Sequence, residues 1–192
     1  MHSATNGARE WTKKRRCGTA IGLLACSTLF ALLAPFQAAE AAYDLSLVLP
    51  STYSTFLAAA NAVDITPYTI PALYTIFAPL NSAFERLGCL TDFTANKTLT
   101  AAIVKYHMVN YPHDYARCIE LATSRNPWVP RTFFNNYQLQ VFFQVDKSLI
   151  FINNQSWIVA PEVTNDGTLS VHGIDTVLIP PNVKMPSNCK YY

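Results

Sequence analysis

Between Leu73 and Leu87 the chain reads Leu-Tyr-Thr-Ile-Phe-Ala-Pro-Leu-Asn-Ser-Ala-Phe-Glu-Arg-Leu. The run from Leu73 to Ala78 is β-branched and aromatic, which predicts a buried strand. Pro79 has no N–H to offer a ladder, so the strand should stop there. Ser82 stands three residues before Glu85, the spacing of a capping box, and Ala83, Phe84 and Leu87 give the next helix an apolar face. Gly88 then supplies a C-cap. A strand that turns through proline straight into a helix commits both elements to the same core. Nothing in the stretch is suited to catalysis, because it lacks a thiol and a histidine and capping accounts for its one carboxylate.

The rest of the chain divides by address and then by period. Arg9, Lys13, Lys14, Arg15 and Arg16 precede an apolar run from Cys17 to Phe36, and Ala39-Glu40-Ala41 places small residues at the −3 and −1 positions of a cleavage site. This is the layout of a secretory signal peptide over residues 1–41, with a retained signal anchor as the alternative. The full chain has 14 Lys+Arg and 12 Asp+Glu. Five of those bases, and the acids Glu10 and Glu40, lie in residues 1–41, so the remainder is close to neutral. The basicity belongs to targeting, and a nucleic-acid or anionic-membrane partner is not expected. The C-terminus is polar and has no hydrophobic tail, so a lipid anchor of the glycosylphosphatidylinositol type is not expected.

Beyond residue 41 three cysteines remain, Cys89, Cys118 and Cys189. In an oxidising compartment two of them should pair, though sequence does not choose which, and their spacings match no zinc pattern. Two sequons, Asn96-Lys97-Thr98 and Asn154-Gln155-Ser156, predict N-glycosylation at Asn96 and Asn154. A helix is expected from about Ser51 to Val63, with Thr66-Pro67 and Ile70-Pro71 as a linker. A second helix follows from Leu99, Ala102, Ile103 and Tyr106 at i, i+3, i+4 and i+7. The stretch from Asn110 to Pro130, interrupted by prolines, reads as a partly structured insertion or functional loop.

From Arg131 the apolar period becomes two. Leu139, Val141, Phe143 and Val145 predict a half-buried strand, followed by Leu149–Ile152 and Trp157–Val159, with Asn154 at an exposed hairpin tip. Asp166-Gly167 signals another hairpin into Leu169–Ile179, where the apolar phase slips at Gly173. That slip implies either a bulge or a strand buried on both faces. Helices first and strands later make an α+β fold.

Three segments in this order resemble the signatures of fasciclin (FAS1) domains. Thr75, Phe77, Ala78, Pro79, Ala83 and Phe84 resemble the first, and Tyr106-His107 resembles the Tyr-His motif. Val171, His172, Ile174, Asp175, Val177, Leu178 and Pro180 resemble the last. The resemblance implies a FAS1-like wedge of mostly antiparallel strands with several packed α-helices, a domain over residues 42–182 and a tail over 183–192. It also implies a secreted, non-catalytic protein of cell adhesion, extracellular matrix or cell wall, with an extracellular protein or polysaccharide as partner and no cofactor. An extracellular carrier of an apolar small molecule such as a carotenoid is the alternative. The likeness extends to plant fasciclin-like (arabinogalactan-type) proteins, but three features depart from the family pattern: Leu80-Asn81 stands for Thr-Asp, Glu162-Val163 stands for the Asp-Ile pair associated with integrin binding in some members, and the Pro/Ala/Ser/Thr-rich tracts that carry arabinogalactan sugars are absent.

His107, His172 and Asp175 are the residues that could suggest chemistry. Alternation puts Ser170 and His172 on one strand face and Asp175 on the other, so no hydrolytic triad is expected. His107, His113 and His172 lack the spacing of metal ligands, and no metal is expected. The histidine ring nitrogens are expected to satisfy buried backbone groups. Tyr111, Tyr115, Trp128, Phe133, Phe134 and Tyr137, clustered around the long loop, are read chiefly as packing.

Overall fold

A computed structural model describes residues 44–63 and 73–190, without the side chains of 91–93. The proposed signal segment and the linker prolines lie outside the described residues. Helix α1 (Ser54–Ala62) follows a 3-10 turn at Ser51–Tyr53. Strand β1 (Tyr74–Pro79) leads directly into α2 (Asn81–Leu87), and α3 (Leu90–Ala95) and α4 (Lys97–Tyr106) come next. Strand β2 (Met108–Asn110) and helix α5 (Tyr115–Arg125) precede β3 (Val141–Gln144), β4 (Leu149–Ile152), β5 (Ser156–Asn165) and β6 (Leu169–Ile174).

The described strands form one six-stranded sheet in the order β2-β1-β6-β5-β4-β3. All neighbours are antiparallel except β1 and β6, which run parallel with Tyr74 opposite Leu169 and Pro79 opposite Ile174. This is the α+β, mostly antiparallel architecture anticipated above. Every residue of β1 and of β6 is buried, as expected for strands covered on both faces. One core packs Phe56, Tyr74, Ile76, Phe84, Ile103 and Val171 beneath the helices. The other packs Phe77, Cys118, Trp128, Val141, Ile150 and Ile174 on the opposite side.

Gly173 resolves the phase slip as burial on both faces. A Cβ there would lie 2.1 Å from Tyr53 Oη and 2.8 Å from Ala160 Cβ, so only glycine fits. The bulging occurs in the partner strand: Ile158 and Thr164 of β5 lie opposite Ile174 and Val171, twice as many steps on β5 as on β6. Glu162, at φ 54°, sits in that irregular stretch.

Several expectations need correction. Ser82 is not an N-cap, since α2 begins at Asn81 and its cap position, Leu80, makes no side-chain bond. The Asn81 amide instead serves α1: Oδ1 accepts from Thr55 N at 3.0 Å, and Nδ2 donates to Ser51 O at 3.0 Å. The stretch from Asn110 to Pro130 holds β2's last residue and a full helix, capped by Asp114, whose Oδ1 accepts from Arg117 N at 2.6 Å. The flanking prolines obscured an i, i+3, i+4 face of Cys118, Leu121 and Ala122. Val145 lies beyond β3 and is 76% exposed. The last strand stops at Ile174 rather than Ile179, and β5 continues past Val159 to Asn165. Gly88 does close α2 at φ 73°, donating to Phe84 O and Glu85 O.

Among the described cysteines, Cys89 and Cys189 form a disulfide and Cys118 is a buried free thiol. The bond holds the C-terminal segment against α2, where Lys190 N also donates to Leu87 O at 2.8 Å.

Candidate functional site

The polar residues of the three motifs converge around Phe77, where the parallel pair meets the end of α4. Phe77 N donates to His107 O at 2.9 Å, and Phe77 lies opposite His172 in the β1–β6 register. The two histidines are fully buried.

His107 caps the C-terminus of α4. Its Nδ1 lies 2.7 Å from Ile103 O, and its Nε2 lies 3.0 Å from Leu178 N. A carbonyl needs a donor and an amide N–H needs an acceptor, so the ring is neutral with its proton on Nδ1. Burial drives its pKa down to about 4, partly offset by the Ile103 carbonyl. Tyr106, beside it, is buried, and its hydroxyl accepts from Asn153 Nδ2 at 3.0 Å.

His172 follows the same logic with the ring reversed. Nδ1 accepts from Glu162 N at 3.1 Å, and Nε2 donates to His113 O at 2.8 Å. Burial lowers its pKa, against opposing contributions from the His113 carbonyl and the charges of Glu162 and Asp114. Cys118 Sγ is 4.0 Å from His172 Nε2. That thiol is pushed up to about 12, first by burial and then by Asp114 and Glu162, so it stays protonated and is no nucleophile. His113 packs edge-on against Trp128 at 4.7 Å, and burial lowers its pKa as well.

Asp175 is held apart from both rings. Its Oδ1 accepts from Ser156 Oγ at 3.0 Å, Trp157 N at 2.9 Å and Thr176 Oγ1 at 3.2 Å, while Arg86 donates to its main-chain oxygen. Ser170 Oγ donates to Asn165 Oδ1 at 3.4 Å. Thr75 Oγ1 donates to Tyr111 O and accepts from His113 N, both at 2.8 Å. The sequence-predicted residues therefore come together, yet each nitrogen of the two buried histidines is committed to a backbone group. Ala78, Ala83, Phe84, Val171, Ile174, Val177, Leu178 and Pro180 are buried packing positions, and Pro79 ends β1. Among the described residues, no cluster of three or more His, Cys, Asp or Glu could hold a metal.

Two arrangements were not foreseen from sequence. Glu162 Oε1 accepts from Tyr115 N at 3.3 Å, the first residue of α5, and from Asn165 Nδ2 at 3.4 Å. It therefore braces the β5 bulge against a helix N-terminus, a favourable place for a carboxylate. An open groove of about 650 Å³ runs between α1, α4 and the segment after residue 132. Phe133, Phe134, Ala101 and Ala102 line it, with Lys97 and Lys105 also on its wall. Of the loop aromatics, Trp128 is buried, Tyr115, Phe133, Phe134 and Tyr137 pack against the cores, and Tyr111 is 67% exposed. Asn96 and Asn154 are both exposed; Asn96 also caps α4 through Oδ1, which accepts from Leu99 N at 3.1 Å. No helix among the described residues is long and apolar enough to cross a membrane.

Comparison with known proteins places this geometry. The model of the fasciclin domain family matches residues 51–180, a span that contains all three motifs. Human periostin is 33% identical over 139 residues, covering 68% of this chain but 15% of periostin. A solved FAS1 domain pair from the insect cell adhesion molecule fasciclin I superposes with a TM-score of 0.51 at 17% identity. That superposition covers 66% of this chain and 43% of the pair, and is a likeness of fold.

Proposed function

The chain belongs to the fasciclin domain family, and from that premise we propose that it is a secreted, N-glycosylated module of adhesion or matrix binding at the cell surface or cell wall. The reading takes residues 1–41 as a cleaved signal, 42–182 as the domain and 183–192 as a disulfide-tethered tail. It is non-catalytic and needs no cofactor. Its partner is an extracellular protein or polysaccharide. The observation that carries the reading is where the motif residues spend their polar groups. Both nitrogens of His107 and His172, the hydroxyls of Thr75 and Tyr106, and Asp175 Oδ1 are all bonded within the protein. The motifs thus build a scaffold and leave recognition to the surface. Integrin binding through an Asp-Ile pair is not part of the proposal, because Glu162-Val163 occupies that place and Glu162 is engaged with α5.

The test is retention of the glycosylated, secreted protein on native extracellular matrix and on cells, against a heat-denatured control. Retention that matches the denatured control would end the adhesive reading. A second reading, an apolar-ligand carrier, is favoured by the Phe133- and Phe134-lined groove. Visible absorbance of the native purified protein that disappears on solvent extraction would support it; a colourless protein would exclude a pigment as cargo.

A further inference from the structure

The outer face of β3, β4 and β5 carries a row of aromatic side chains that neither core uses. Phe142 lies opposite Phe151 across β3 and β4, and Phe151 lies opposite Trp157 across β4 and β5. The three rings thus occupy one line over three adjacent strands, at the spacing where cross-strand side chains touch. They are partly exposed, whereas the alternate residues Val141, Ile150, Ile152 and Ile158 fill the second core. Phe151 and Trp157 stack at 4.3 Å with 25° between planes, and Lys147 Nζ lies 4.5 Å over the Trp157 ring. The result is a preformed aromatic surface with a cation seated over its Trp157 end.

The turn joining β4 to β5 ends this row. Gln155 N donates to Ile152 O at 2.9 Å, and the central residues Asn153 and Asn154 have φ of 52° and 54°, the left-handed pair that asparagine accepts best. Asn153 is tied to the protein, donating to Tyr106 Oη and accepting from Gln140 N. Asn154 is exposed and opens the sequon. It therefore sits three residues after Phe151 and three before Trp157, at the tip of the hairpin that carries their stack. Three residues span at most about 10 Å even fully extended, within the combined reach of an asparagine side chain and its first two sugars.

We propose that the aromatic row is the seat of the chain's own glycan: the first N-acetylglucosamine units on Asn154 lay their apolar C–H face on the Phe151–Trp157 stack, beside Lys147. This rests on the reading of Asn154 as glycosylated. In that attachment Asn154 Nδ2 bonds to C1 of the sugar and gives up a proton, while the bond from C1 to a lipid-diphosphate donor breaks and the diphosphate leaves. The noncovalent step follows from charge distribution. Sugar C–H groups are weakly positive and the ring face is negative. Contact also removes apolar area from water on both partners. The Lys147 ammonium offers hydrogen bonds to the sugar's hydroxyl and acetamide oxygens.

The experiment uses the full chain secreted from a glycosylating host, with occupancy at Asn154 read by peptide mass spectrometry. Tm is compared between the glycosylated protein and Asn154→Gln, in the native and the Phe151→Ala backgrounds. The expected loss is about 2–4 °C in the native background and less than a quarter of that in Phe151→Ala. Ring currents should also move the N-acetyl methyl proton signal of the first sugar upfield, and Phe151→Ala should return it. An unmodified Asn154 would overturn the glycosylation reading and the proposal with it. An occupied Asn154 with equal losses in both backgrounds and an unshifted methyl would overturn the stacking alone. So would self-association of the glycosylated protein that Phe151→Ala abolishes, which would assign the row to a second copy.

Discussion

The substitution His107→Ala puts the buried-histidine argument to a quantitative test. At neutral pH it leaves Leu178 N–H without an acceptor and opens a ring-sized void beside Phe56, whose centroid is 5.9 Å from the imidazole. Losses of this kind cost about 3–5 kcal/mol together. The cost should depend on pH. An unfolded histidine titrates near 6.5 and folded His107 near 4, so between those values the unfolded chain binds more protons and acid favours it. The contribution is complete above about pH 6.5, declines as the pH falls, and is gone below about 4. The interval is worth about 3 kcal/mol at roughly 1.4 kcal/mol per pH unit. Urea denaturation of both proteins at pH 7.5 and pH 4, followed by circular dichroism, measures this directly. The gap between wild type and His107→Ala should shrink by about 3 kcal/mol at the lower pH. Other groups shifted by folding, including His113, His172 and Asp44, are present in both proteins and cancel in the difference. A gap of the same size at both pH values would refute the buried neutral tautomer.

Gly173→Ala should destabilise by about 1–3 kcal/mol or more through overpacking, and part of the loss should return in a Tyr53→Phe background, which removes the atom 2.1 Å away; a double-mutant cycle with no coupling would contradict the close approach. Reducing the Cys89–Cys189 bond, which spans 100 residues, should cost about 4–5 kcal/mol on loop-closure entropy, measured as a shift in urea midpoint. In the protein lacking residues 1–41, Cys118 should ignore an aqueous thiol reagent at pH 8 and react fully once unfolded, since it is buried and pushed up to about 12. Asn81→Ala should cost about 1 kcal/mol by uncapping α1, visible as a lower Tm; an unchanged Tm would show that the cross-element cap is dispensable.

Much of the fold is written in local pattern. The run from Tyr74 to Pro79 is a strand because its residues are apolar or small enough to be covered on both faces, while Leu73, just before it, stays exposed. Leu149–Ile152 and the Asn153-Asn154 turn are likewise local, and the structure reproduces them. What sequence misses is set by distant partners. Ser82 and Glu85 have capping-box spacing, but Asn81 is drawn to the backbone of Ser51 and Thr55, which no window around residue 82 contains. Helix α5 was hidden by Pro112, Pro127 and Pro130, although Asp114 and the Cys118, Leu121, Ala122 face could have marked it. The histidine roles were legible in kind, as buried groups bonded to backbone. Their partners, Leu178 for one and Glu162 for the other, depend on long-range register. The aromatic row on β3 to β5 was invisible because Phe142 interrupts a glutamine series that otherwise reads as a wet face.

The parallel pairing of β1 with β6 has a consequence for synthesis. As the chain is extruded from its N-terminus, β1 and its first neighbour β2 are available early, but the strand that completes β1 on its other side is the last of the sheet. Until residues 169–174 emerge, a strand that is buried throughout in the folded protein keeps one edge of N–H and C=O groups unpaired, the condition that invites wrong pairing. Closure therefore waits on a contact between segments far apart in sequence, which makes folding slow. A truncation before Leu169 should leave a fragment that aggregates, measured as light scattering during refolding.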